Sequence, residues 1–599
     1  MTGHRYVYGL QGHVLAVLRL SATFLVLNVG LVLPAVLASG RFTIGPSDLV
    51  SFDLVALLAV VVLARGTRMQ RGARRLATGL YVLLLVYEIY DAAMQVALKR
   101  PGLFYDDIQH IAGAVHLIGN AATLPHLAIG TAGAAAIGTF CWFAARAFRW
   151  VTDDLASRSA RRISVLGIWV CVPLVLYGYT FDLGNHTPLY NESVMMTSEK
   201  IAGNVRASVQ LRERVQEFNR RRADSTYAQY ETVQLSKRPH LFVLFIESYG
   251  EVLRHHEETE APYRALMQEL GDRLSRAGWL SASTTSLAPV NGGTSWLSVG
   301  SVLMGMPIKH QSMFNVIEPD LRHYPHLIYT LQTFGYQTAV LQPPTRPRIG
   351  VGVSNPYGFD KTFYFRDMQY TGRRYGWGIV PDQYSLGLAH EQFVAPAEEP
   401  VMLMFEMVAS HAPWDPPPPL VDDWRTLNKP NSDARATTRS QQAVREAQSP
   451  AVTARAAPTS PLPNVADGGS TPVHRLFRSV RYDWQVISEY MIDEMPDSSL
   501  VVVLGDHQPP IVSTESDVVP VHVFSRDPAH IDAAVSHGFK RGLVELAPPG
   551  RLAPSAFRHA GLYSLMMNLL AQPVDREASQ LFPVLPKGVD RPAHRLSLP

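Results

Sequence analysis

Leu241-Phe242-Val243-Leu244-Phe245-Ile246-Glu247-Ser248 is an apolar run that stops abruptly on a carboxylate. Its shortness and the absence of polar alternation are those of a strand buried on both faces, as in a parallel sheet. A second such run, Leu500-Val501-Val502-Val503-Leu504, leads into Gly505, Asp506, His507 and Gln508. Further short apolar runs, Gln337 to Leu341, Val401 to Val408 and Val519 to Phe524, alternate with helical or looped stretches. Strands separated by helices predict an α/β domain with a mostly parallel central sheet. Such sheets gather ligands at the carboxyl ends of their strands, which is where Glu247, Asp506 and His507 fall.

Working upstream, the character of the chain changes. Leu20 to Leu37, Leu49 to Ala64, Gly79 to Ala97, Leu124 to Phe148 and Ile163 to Phe181 are dominated by Leu, Val, Ala, Ile and aromatics. A bilayer-spanning helix needs about 20 such residues, so residues 1–182 read as a five-span transmembrane domain. Arg65, Arg68, Arg71, Arg74 and Arg75 follow the second span, and Arg146, Arg149, Arg158, Arg161 and Arg162 follow the fourth. The positive-inside rule makes both joints cytoplasmic and sends everything after Phe181 outside. Within the third span, Glu88 and Asp91 lie one turn apart, either kept for a lipid-facing role or used in helix packing. Residues 183–238 read as a connector containing an amphipathic helix, and 239–571 as the α/β domain. Lys429 to Pro472 is rich in Ala, Ser, Thr, Pro, Gln and Arg, the composition of a disordered insert. Arg475 to Met495 reads as a helix feeding the Leu500 strand, and 572–599 as an irregular, Pro-rich tail.

Across 599 residues the formal net charge is +3 and the apolar fraction 47%. No basic stripe interleaved with aromatics accompanies that small charge, so nucleic acid is not an expected partner. Both cysteines, Cys141 and Cys171, lie in apolar stretches, leaving the downstream domain without a disulfide framework.

Glu247, Asp506 and His507 together offer two carboxylates and one ring nitrogen, a donor set for a divalent cation. Asn291-Gly292-Gly293-Thr294-Ser295-Trp296-Leu297-Ser298 supplies a hydroxyl. With Thr294 Oγ as fourth ligand, a metal would lower its pKa and make it a nucleophile. Gly292 and Gly293 permit close backbone approach to a phosphate. Trp296, Val299, Leu303 and Met304 have helical spacing, so a helix starting near Thr294 would aim its N–H groups at the same anion. Each signal has a plainer reading: Asp506 as a capping acid beside a packed imidazole, Glu247 as a helix-start residue.

The order Ile246-Glu247-Ser248, Gly293-Thr294-Ser295, Ser410-His411-Ala412-Pro413-Trp414, Gly505-Asp506-His507 resembles the membrane-anchored transferases of the alkaline phosphatase superfamily. These include lipoteichoic acid synthase and the phosphoglycerol and phosphoethanolamine transferases. The resemblance implies Glu247, Asp506, His507 and Thr294 as metal ligands and Thr294 as a nucleophile that becomes covalently phospho-substituted. It implies His411 as a contact to the substrate phosphate. It also implies a tryptophan and an arginine that hold the headgroup ahead of Gly358-Phe359-Asp360-Lys361. There the chain reads Pro343-Pro344-Thr345-Arg346-Pro347-Arg348, so Arg346 or Arg348 takes the arginine's place and the tryptophan is missing.

The implied activity is metal-dependent transfer of a phospholipid headgroup to an envelope glycan or glycolipid, at the outer side of a bacterial cytoplasmic membrane. Phosphoglycerol is favoured over phosphoethanolamine because lipid A phosphoethanolamine transferases carry disulfides in this domain. An oxygen-rich set with one histidine favours one Mn²⁺, with Zn²⁺ or Mg²⁺ as alternatives. Competing readings are a phosphodiesterase, a sulfatase-like hydrolase, or a non-catalytic membrane scaffold. A sulfatase proper needs Cys/Ser-x-Pro-x-Arg, which this chain lacks after Thr294.

Overall fold

The computed structural model describes residues 3–39, 51–110, 124–154, 196–221, 223–232, 235, 238–346, 354–429, 471–512, 516–543, 557–571 and 582–592. The chain divides into two compact units, Met1–Arg214 and Val215–Pro599.

The first unit is helical: Gly3–Ser39, Phe52–Leu63, Gln70–Leu98 and Leu124–Asp154 cover four of the five expected spans. The fifth, Ile163 to Phe181, lies outside the described residues. By length and composition, two described helices could cross a membrane, Leu18–Ala38 and Gln70–Leu98. Phe52–Leu63 is apolar but shorter. Leu27, Leu54, Tyr81, Leu84, Ala144 and Phe148 form the shared core. Glu88 and Asp91 both find partners in the unit. Lys200 Nζ lies 3.0 Å from Glu88 Oε2, and Thr197 Oγ1 donates to Glu88 Oε1 at 2.7 Å. Asp91 accepts from Gln95 Nε2 and Gly102 N, each at 2.8 Å. Buried charges are tolerated when paired in this way, which favours helix packing as their role.

The second unit is built on one nine-stranded sheet: β1 His240–Ile246, β2 Leu280–Leu287, β3 Gln337–Gln342, β4 Lys361–Tyr364, β5 Val401–Met407, β6 Ser499–Gly505, β7 Val518–Ser525, β8 Lys540–Arg541 and β9 Phe557–Arg558. The order is β4-β3-β5-β1-β6-β7-β2-β8, with β9 also on β2. β4, β3, β5, β1 and β6 run parallel, and β7 is antiparallel to both β6 and β2. The carboxyl end of β2 therefore lies at the same edge as those of β1 and β6.

Helices cover both faces. Leu241, Val243, Phe245, Leu500, Val502 and Leu504 pack into the layer containing the Ser295–Met304 and Gly561–Ala571 helices. Phe242, Leu244, Ile246, Val501 and Val503 pack against the Glu260–Arg276, Asp382–Ala389 and Pro472–Asp493 helices. Each strand is sealed on both sides, which is why its sequence is continuously apolar. Glu247 and Asp506 follow Phe245 and Leu504 by two residues, and this period turns them toward the layer that holds Ser295. Residues 430–470 and 572–581 lie outside the described residues, but Phe582 and Val589 return to the core.

Candidate metal centre and active site

β1 and β6 are adjacent and in register, with Ile246 opposite Gly505. Their ends come unusually close. A Cβ on Gly505 would lie 1.9 Å from the Tyr249 carbonyl oxygen, and one on Gly250 would lie 2.0 Å from Gln508 Oε1. Ser248 takes a left-handed conformation, φ 58°. Its N–H donates to Asp506 Oδ1 at 2.8 Å, and His507 N donates to the same oxygen at 2.7 Å. With Oδ1 occupied, Oδ2 faces the site.

His507 Nδ1 lies 2.8 Å from the Gln508 carbonyl, which can only accept, so the proton sits on Nδ1. Nε2 is left with a lone pair that could ligate an ion, 3.3 Å from Asp506 Oδ2 and 3.5 Å from Glu247 Oε1. One donor atom each from Glu247, Asp506 and His507 lie within 4.8 Å of one another. Burial, then the neighbouring Glu247 carboxylate, pushes Asp506 up to about 7. Burial pulls His507 down, but Asp506 and Glu247 outweigh it and leave the imidazole raised. A buried carboxylate and a half-buried one converging beside a lone-pair nitrogen make a set that a divalent cation would relieve.

The hydroxyl beside this cluster belongs to Ser295. Its Oγ donates to Glu247 Oε2 at 3.0 Å and lies 3.2 Å from His507 Nε2. Thr294 Oγ1 instead donates to the carbonyl of Gly293 at 2.5 Å. Gly292, Gly293 and Thr294 all have positive φ, 77°, 148° and 61°. Gly292 N is tied to the Gln508 carbonyl at 3.1 Å. Three consecutive residues of that hand turn the chain so that the first residue of the Ser295–Met304 helix enters the cluster.

His411 lies on the loop after β5. Its ring stacks on Trp377, centroids 4.1 Å apart and planes 10° apart. Its Nδ1 lies 2.6 Å from the Ala412 carbonyl. Burial lowers its pKa, and His507 and Asp506 are close enough to contribute. Arg346 sits with its guanidinium 3.9 Å from the Phe365 ring centroid and makes no ion pair with Glu247 or Asp506. Arg348 lies outside the described residues.

Two features escaped the sequence reading. Glu406 on β5 alternates with Met402 and Met404 on the Ser295 side of the sheet, and Gln342 donates to it. Burial above all, with Asp506 and Glu247 adding, pushes its carboxyl up to about 7. Asp382, fully buried, accepts from Val408 N and Ala409 N at 3.2 and 2.8 Å, and so braces the loop that carries His411. Glu406 interrupts the apolar Val401 to Val408 run, a signal present in the sequence, whereas an Asp opening a helix after Pro381 reads as an ordinary cap.

No family model matches the chain, and no curated protein matches it. Solved structures do. The chain is similar to the integral membrane lipooligosaccharide phosphoethanolamine transferase A of Neisseria meningitidis: 13% identity, covering 94% of this chain and 97% of that one, TM-score 0.44. It is similar to a lipoteichoic acid synthase of Listeria monocytogenes at 15% identity, covering 63% and 80%, TM-score 0.34. It is also similar to a protein in the alkaline phosphatase superfamily from Vibrio parahaemolyticus at 13% identity, covering 60% and 74%, TM-score 0.34.

Proposed function

We propose that the chain is a metal-dependent transferase. It takes a phosphate-linked headgroup from a phospholipid and passes it to a hydroxyl of an envelope glycan or glycolipid. The observation that carries this reading is the contact of the Ser295 hydroxyl with both Glu247 and His507, at the point where two carboxylates and an imidazole converge. Glu247, Asp506 Oδ2 and His507 Nε2 would hold one divalent ion, Mn²⁺ favoured over Zn²⁺ and Mg²⁺ by the oxygen-rich set. Such an ion lowers the pKa of a neighbouring hydroxyl and polarises phosphoryl oxygens.

Ser295, rather than Thr294, then attacks the phosphorus. The lipid alcohol leaves, and the headgroup phosphate stays on Ser295 until a second hydroxyl displaces it. N–H groups opening the Ser295–Met304 helix face the same anion. Phosphoglycerol remains the favoured headgroup because the chain has no cysteine after Cys171. The site would work at the outer side of a bacterial cytoplasmic membrane.

Intact mass spectrometry after incubation with phosphatidylglycerol and Mn²⁺ tests this. A phosphoglycerol adduct is expected on wild type and on Thr294→Ala, and should fall by more than about a thousandfold on Ser295→Ala. Loss in Thr294→Ala alone would return the attack to Thr294. Release of free headgroup without an acceptor would make the protein a hydrolase, and no adduct and no turnover would overturn the enzyme reading.

A further inference from the structure

Among the described residues of the second unit, the large apolar side chains that stand in solvent are Leu280, Trp296, Trp377 and Ile511, at 37%, 44%, 43% and 54% exposure. Leu280 opens β2 and so lies at the amino edge of the sheet. The other three leave the carboxyl edge, where the candidate centre lies. Trp296 follows Ser295 on the chain leaving β2, Trp377 stands on the loop after β4, and Ile511 is four residues beyond His507 after β6. Each is held in place. Trp296 Nε1 donates to Gln311 Oε1 at 2.7 Å, and Pro509 and Pro510 stiffen the approach to Ile511. Trp377 stacks on His411 from a tip closed by backbone hydrogen bonds between Tyr375 and Ile379 at 3.1 and 2.9 Å. Gly376 and Ile379 there take φ 48° and 69°. Backbone strain that presents a large apolar ring to solvent marks a contact surface.

The same edge carries unpaired cations. Arg346 after β3, and Arg373 and Arg374 after β4, are exposed, and among the described residues none of them forms an ion pair. Arg346 and Arg373 lie over the Phe365 and Tyr375 rings, 3.9 and 5.4 Å from the centroids. Burial, then the neighbouring Arg374, lowers the Arg346 pKa. Three guanidinium groups without an acid partner call for an anionic surface. A free anion would satisfy the arginines and leave both indoles and Ile511 in water. A protein partner would cover one contiguous apolar patch, whereas these side chains project singly from three loops. The boundary between headgroups and acyl chains of an anionic bilayer satisfies both sets, taking aromatic and aliphatic side chains on its apolar side and arginines at its phosphates.

We propose that the carboxyl edge of the sheet is a membrane-docking face, with Trp296, Trp377 and Ile511 dipping into a lipid bilayer and Arg346, Arg373 and Arg374 resting on its phosphates. Seated in this way, the Glu247, Asp506 and His507 cluster meets lipid phosphates at the bilayer surface, without a lipid being drawn out of it. Docking needs no headgroup transfer and so stands apart from the reading above.

The test uses the full-length protein, carrying Cys141→Ser and Cys171→Ser, in a mixed phosphatidylcholine and phosphatidylglycerol bilayer. One nitroxide label is placed on Ile511→Cys, or on Leu280→Cys at the opposite edge. Oxygen concentrates in lipid and a water-soluble nickel chelate stays out of it, while burial under protein lowers access to both. The ratio of oxygen to nickel access at the Ile511→Cys label should exceed that at Leu280→Cys by at least about threefold. Adding Arg373→Glu and Arg374→Glu should lower it by at least about twofold. Trp377→Cys, labelled in the same way, repeats the comparison on a second loop. Equal ratios at the two edges, low access to both reagents at Ile511→Cys, or a ratio indifferent to the charge reversal would overturn the docking face. No turnover enters the readout, so none of these outcomes bears on the transferase reading.

Discussion

At the scale of single residues, the site turns on a one-position difference between Thr294 and Ser295. The sequence shows two adjacent hydroxyls after a Gly-Gly pair; which one enters the cluster depends on the positive φ of Gly292, Gly293 and Thr294. That hand cannot be read from residue types, since threonine rarely adopts it. Glu247, Asp506 and His507 were legible because each closes or follows a buried strand. Trp377 was not, because its stacking partner lies 34 residues away on another loop. Buried histidines carry a residue-scale prediction of their own. His522 is sealed between Ser283 Oγ at 2.7 Å and Tyr249 Oη at 3.1 Å, and burial, with Arg254 adding, pulls its pKa to about 3. The folded state holds it neutral, while the unfolded chain takes up a proton below about pH 6.5. Stability present above that pH is thus lost as pH falls toward 3, with a slope approaching about 1.4 kcal/mol per pH unit. Urea unfolding between pH 6 and 4.5 should show a shallower pH dependence in His522→Phe, by that one proton. An unchanged slope would mean His522 is not held neutral.

At the scale of elements, strands sealed by helices on both sides announced themselves, as β1, β5, β6 and β7 did. β2 did not. Leu280-Ser281-Ala282-Ser283-Thr284-Thr285-Ser286-Leu287 has the composition of a loop, yet it pairs with β7 along its whole length. Its hydroxyls are satisfied by distant imidazoles: Ser283 by His522, and Ser286 by His559 at 3.0 Å. A polar strand can be central only when such partners exist, and they lie more than two hundred residues downstream. The convergence of β1 and β6 makes its own prediction. Gly505→Ala would drive a Cβ into the Tyr249 carbonyl oxygen, a backbone atom that cannot rotate aside. It should cost about 1–3 kcal/mol in urea unfolding and weaken metal uptake in parallel. Gly271→Ala, in open space within the Glu260–Arg276 helix, should be neutral or stabilising by about 0.5–1 kcal/mol. If the two variants behave alike, the close approach of the strand ends is not what shapes the site.

At the scale of the whole molecule, composition separated a helical, apolar N-terminal part from an α/β part, and the chain divides into two such units at Arg214 and Val215. Hydropathy reports burial in lipid and burial in protein alike. Phe52–Leu63 illustrates this: it is apolar throughout, yet at 12 residues is shorter than a bilayer crossing requires. In the proposed function, the second unit depends on Glu247, Asp506 and His507, from separate parts of the chain, holding one ion between them. Equilibrium dialysis of the purified full-length protein against Mn²⁺, followed by metal analysis, addresses that directly. Wild type should retain about one ion per chain, and Asp506→Asn should bind at least about tenfold more weakly. A wild type that retains no Mn²⁺, Zn²⁺ or Mg²⁺, or an Asp506→Asn variant that binds as tightly as wild type, would contradict it.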